Sequence, residues 1–71
     1  MFQKNLLKAA MVKRGYTVKS LALALGMNQA TFYRKVQRDG DFTREEVNTM
    51  IKCLDLDTSE YKDIFFAEEL A

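Results

Sequence analysis

The chain has 71 residues, a formal charge of +1, one cysteine, and neither proline nor histidine. Such a length allows one domain over residues 1–71 with a small core, burying about 60% of the unfolded surface. It has no internal disulfide and no histidine or cysteine pair for a structural zinc, and it lacks the run of about 18 apolar residues that spans a membrane.

The charge is divided along the chain. Residues 1–38 carry eight bases (Lys4, Lys8, Lys13, Arg14, Lys19, Arg34, Lys35, Arg38) and no acid, whereas residues 39–71 carry three bases against ten acids. Eight minus seven returns the net +1, and so uneven a distribution implies two faces with different partners. Lys4 and Lys8 also interrupt the apolar residues of the N-terminus, so a signal peptide is not expected. A chain without disulfides fits a reducing cytoplasm.

Phe2, Leu6 and Ala10, then Leu7 and Met11, recur at helical spacing and predict a first helix over 2–14. Gly15 follows its basic end, where a left-handed capping glycine belongs. The next four helix starts share one device. A hydrophobe precedes an N-cap residue, and another hydrophobe follows that cap by four: Tyr16-Thr17 with Leu21, Met27-Asn28 with Phe32, Phe42-Thr43 with Val47, Leu56-Asp57 with Tyr61. Glu46 and Glu60, three residues after their caps, complete capping boxes. The predicted helices are therefore 18–25, 29–37, 44–54 and 58–68. Val47, Met50, Ile51 and Leu54 form the core stripe of the fourth, and Tyr61, Ile64 and Phe65 that of the fifth. Cys53, within the apolar run of the fourth, is expected to be a buried small hydrophobe. The fold class is all-α, five short helices around one core.

Only Gly26-Met27-Asn28 separates the second and third helices, as in a helix-turn-helix. Ala22 is small where the two must approach, Gly26 permits the turn, and Phe32 packs the third helix back into the core. The run T-V-K-S-L-A-L-A-L-G-M-N-Q-A-T-F at 17–32, with F-T-R-E-E-V at 42–47, resembles the Cro-type, lambda repressor-like helix-turn-helix family. The resemblance covers most of the chain, from Leu6 to Phe66. The run F-Y-R-K-V at 32–36 and I-F-F at 64–66 are similar to short bacteriophage repressors, especially those of Gram-positive hosts. It implies a compact five-helix DNA-binding domain with its helix-turn-helix at 17–38. The third helix would enter the major groove of double-stranded DNA while the second crosses the backbone. Lys35 departs from the pattern, since the family usually places an apolar residue there. Val36 is expected to take the core role, with the Lys35 stem lying along the edge.

Taken from the residues themselves, the third helix has a narrow apolar edge, Phe32 and Val36. At about 100° per residue, Ala30, Tyr33, Arg34 and Gln37 fall broadly opposite, and Gln29 projects from the helix start. Gln pairs two-pronged with adenine, Arg with guanine, and Ala30 suits a thymine methyl. The base-contacting candidates are Asn28, Gln29, Ala30, Tyr33, Arg34 and Gln37, with Tyr33 open to either a base or a phosphate. Of these, the resemblance implies base contact most often at Asn28, Gln29, Ala30 and Arg34. Arg14, Thr17, Lys19, Lys35, Arg38 and Arg44 are the phosphate candidates, Thr17 and Lys19 standing where helix two begins.

The acidic C-terminal third should face away from DNA. Tyr61, Phe65 and Phe66 are candidates for homodimerisation. Phe65 and Phe66 are about 100° apart on a helix, so one is expected in the core and the other available to a second subunit. The expected function is that of a sequence-specific, Cro-like DNA-binding regulator without cofactor or small-molecule ligand. The alternative is a protein-interaction module of the same fold, such as an antirepressor or antitoxin-like partner, whose sign would be acids on the third helix. No nucleophile–base set supports an enzyme, and a basic face without an aromatic platform argues little for RNA.

Overall fold

The computed structural model describes residues 1–66. Among them lie five helices and no strand: α1 Lys4–Lys13, α2 Val18–Ala24, α3 Gln29–Gln37, α4 Arg44–Cys53 and α5 Thr58–Phe65. The expected all-helical architecture is present, with the starts of α2, α3, α4 and α5 where the caps place them. α2 packs against both α3 and α4, and α1 against α5.

All four expected N-caps form. Thr17 Oγ1 accepts from the Ser20 N–H at 3.1 Å, Asn28 Oδ1 from Thr31 at 2.8 Å, Thr43 Oγ1 from Glu46 at 3.1 Å and Asp57 Oδ1 from Glu60 at 2.8 Å. Each satisfies a backbone donor that has no partner within its own helix. Glu46 and Glu60 reach back to the cap N–H groups at 2.8 and 3.2 Å, completing the two expected boxes. A third box forms where no Glu or Gln signalled it: Ser20 Oγ accepts from the Thr17 N–H at 2.9 Å. A serine hydroxyl is short but close enough for the same reciprocal bond.

The first helix differs from expectation. It begins at Lys4, not at residue 2, and Gln3 caps it without a side-chain hydrogen bond. The preceding residues serve tertiary contacts instead. The Gln3 N–H donates to the Ile64 carbonyl at 2.7 Å, and the buried Phe2 ring stands 5.8 Å from Phe65 and 6.1 Å from Phe42. With Phe2 outside the helix, the buried stripe is Leu7, Ala10 and Met11, and Leu6 is left 45% exposed. At the other end, Phe66 has left helical geometry at φ −130° and caps α5; the expected continuation to residue 68 lies outside the described residues.

The core is one cluster. Leu21, Met50 and Leu54 are completely buried, with Leu7, Phe32, Ile64 and Phe65 close behind. Val47, Ile51, Cys53 and Tyr61 pack against it half-buried. Cys53 is thus at the edge of the core rather than within it. Its side chain, beside Tyr16, raises that phenol above its ordinary pKa.

Candidate nucleic-acid interface

The α2–α3 unit is built from small residues and one glycine. Ala22 is almost wholly buried where α3 meets α2. Gly26 then takes φ +72°, a left-handed conformation that carries a steric cost for any side chain. The Gly26 N–H donates to Leu23 at 3.0 Å and the Met27 N–H to Ala22 at 3.0 Å, a double closure that ends α2 and redirects the chain. Asn28 restarts the helix immediately.

α3 is anchored by Phe32, which is buried and 5.7 Å ring-to-ring from Phe42. Val36 is half-buried beside it. Gln29, Ala30, Tyr33, Arg34, Gln37 and Arg38 are all exposed. Asn28 is exposed too, but its carbonyl oxygen already caps the helix, leaving the NH₂ group as its available donor. All six base-contacting candidates are therefore exposed, on α3 or at its start.

The basic candidates separate into two groups. Lys19, Arg38 and Arg44 are exposed and make no ion pair among the described residues. Thr17 has its hydroxyl engaged in the cap. Arg14 and Lys35 depart from the role expected of phosphate ligands, because both hold partners inside the chain. Arg14 Nε donates to the Leu54 carbonyl at 3.1 Å and its guanidinium lies 3.7 Å from Asp55. This ties the end of α1 to the end of α4. Lys35 Nζ lies 3.1 Å from Glu46 Oε1 and donates to the Asp41 carbonyl at 3.4 Å. Burial pushes the Glu46 carboxyl up, but the Thr43 N–H and the Lys35 ammonium outweigh it and hold the group below its ordinary value.

The same ion pair settles the rotation of α3. At about 100° per residue, Lys35 lies on one flank of the Phe32–Val36 edge and meets α4. Tyr33 and Gln37 lie on the other flank, and both line a groove against α1. Arg34 and Ala30 point most directly away from the core.

The dimerisation candidates also separate. Phe65 is buried and belongs to the core, whereas Phe66 is 59% exposed with its ring edge-on to Tyr61, 6.2 Å away. The expectation that only one of the pair could face inward holds, and Phe65 keeps only a small surface, at the groove that Phe66 also lines. Phe42, Val47, Ile51, Tyr61, Phe65 and Phe66, with the polar Arg44 and Asn48, line a groove of about 510 Å³ between α4 and α5.

Among the described residues no His, Cys, Asp and Glu cluster could hold a metal, and no helix is long and apolar enough to cross a membrane. No family model, curated protein or solved structure matches the chain.

Proposed function

We propose that this protein binds double-stranded DNA in a sequence-specific manner, as a small transcriptional regulator of the Cro-like, lambda repressor-like type. α3 lies in the major groove and α2 crosses the backbone. One observation carries the reading: the side of α3 opposite Phe32 exposes Ala30, Arg34 and Arg38, Gln29 is exposed at the helix start, and no acid occurs anywhere in residues 1–38. Amide and guanidinium groups match the acceptor and donor patterns of adenine and guanine edges, and an acid-free surface is compatible with closely spaced phosphates.

Lys19, Arg38 and Arg44 contact phosphates around the reading helix. A second copy docks along the groove beside Phe66, so that two α3 helices read half-sites about one helical turn apart. Occupation of a promoter by such a dimer represses transcription. In vitro selection from random duplex DNA tests the reading, with affinity for the selected site followed against salt. Two related half-sites and a steep loss of affinity with salt are expected. Absence of any enriched sequence would overturn it.

A further inference from the structure

We propose that α1 supplies a second set of DNA contacts: Lys4 and Lys8 hold a phosphate strand at the groove between α1 and α3, and Tyr33 and Gln37 are donors to the same strand rather than readers of bases. This rests on the duplex-DNA reading above and goes beyond it in assigning a site.

Three observations meet at this groove. It is an open channel of about 260 Å³, floored by Phe32 and Val36 and walled by Lys4 and Lys8 of α1 and by Tyr33 and Gln37 of α3. Lys4 and Lys8 are four residues apart, on one face of α1.

The second observation is how the bases of the N-terminal half are used. Of its eight bases, Lys13, Arg14 and Lys35 are engaged by Glu60, Asp55 and Glu46. The other five, Lys4, Lys8, Lys19, Arg34 and Arg38, are exposed without an ion pair among the described residues. Lys4 and Lys8 are therefore left with charge to offer, next to the proposed reading helix.

The third is the rotation of α3. Lys35 fixes one flank against α4, which turns Tyr33 toward α1, about 100° of helix rotation from Arg34, and Gln37 lines the same groove one turn further on. A helix in the major groove presents its outermost side to the base edges and its flanks to the two backbones. Ammonium, phenol and amide groups all donate to phosphate oxygens, and such contacts position the protein without reading sequence.

The experiment measures binding of the Lys4→Ala/Lys8→Ala double variant to the selected site and to an unrelated duplex across a salt series. Lys52→Ala/Lys62→Ala, in the acidic half, serves as control. Each lost phosphate contact removes about 0.9 from the slope of log affinity against log salt. The double variant should flatten that slope by about 1.8 on both duplexes, roughly a 60-fold loss at 0.1 M salt when extrapolated from 1 M. The preference between duplexes should be unchanged, and Tyr33→Phe should weaken both alike. A slope equal to the parent's, or a loss confined to the selected site, would overturn the α1 assignment while leaving the proposed function standing. A parent that shows no salt-dependent duplex binding would overturn both. Unchanged circular dichroism and urea midpoint identify the effects as binding effects.

Discussion

Arg34 stands nearly opposite the core edge of α3, and among the α3 candidates its guanidinium can make the most demanding contact, a bidentate pair with guanine. Arg34→Ala should therefore cost about 1–3 kcal/mol on the preferred site and relax selection at one base position. Competition binding against single-base variants of the site checks this, and unaltered preference would place Arg34 outside the readout. Backbone conformation gives a second residue-scale expectation. Asp55 holds φ +49° just past α4, in the position that Gly26 takes past α2 at φ +72°. Glycine adopts that region without steric penalty. Asp55→Gly should stabilise the fold by about 0.5–1 kcal/mol in urea unfolding, since the exposed pair it gives up with Arg14 contributes little. Gly40 is the opposite case. Its φ is +73°, and an added Cβ would strike the buried Phe2 ring, whereas one at Gly26 would meet nothing. Gly40→Ala should cost more than Gly26→Ala, by about 1 kcal/mol or more, and equal urea midpoints would contradict this.

At the scale of elements, one hydrophobe often closes one helix and opens the next. The Tyr16 N–H donates to Met11 at 2.8 Å, Met27 to Ala22 at 3.0 Å and Leu56 to Ile51 at 3.0 Å, and each residue then precedes an N-cap. This double use lets helices of seven to ten residues follow one another through very short turns. α3 and α4 are joined differently, through Asp39 and Gly40, both at positive φ, and through the Lys35–Glu46 pair. Glu46 is held below its ordinary pKa, so its contribution to stability is complete above the unfolded carboxylate value, about 4.3. It is lost as pH falls through the lower folded value. Urea midpoints of the parent should fall through that acidic range more steeply than those of Glu46→Gln. Glutamine can still accept from the Thr43 N–H but gives Lys35 no charge, so the variant should be weaker at neutral pH by about 0.5–1.5 kcal/mol. Parallel pH profiles would show that the pair contributes nothing.

For the whole molecule, charge is sorted by fold as well as by sequence. Every ion pair among the described residues joins a base of the N-terminal half to an acid of the C-terminal half. α4 and α5 thereby neutralise one side of the basic half and leave the α3 face and the exposed side of α1 charged. Beside Tyr61, Phe66 leaves open a groove of mixed character, with Arg44 and Asn48 among its lining residues. If a second copy fills it, sedimentation equilibrium should show a concentration-dependent mass that Phe66→Glu abolishes while the far-UV spectrum stays the same. A parent that remains monomeric at every concentration would remove the dimer from the proposal.

The starts of α2 to α5 could be read from the chain because each depends on a cap, a staple and a spacing of three or four residues. Thr17, Asn28, Thr43 and Asp57 all act locally, and the Gly26 turn follows from one residue's backbone freedom. The apolar edge of α3 was legible for the same reason. Other assignments required the assembled fold. Phe2 leaves the helix because Ile64, far along the chain, binds the neighbouring Gln3 N–H. Arg14 and Lys35 look like free cations in sequence, yet Leu54, Asp55 and Glu46 engage them across separations that no local pattern records. Phe65 and Phe66 are identical side chains, and only the packing of α5 decides which is buried. Capping and turn chemistry are short-ranged, so sequence by itself determined where the four capped helices, α2 to α5, begin. Charge neutralisation and burial depend on which helices become neighbours, so tertiary structure alone decided which cations remain to meet a partner.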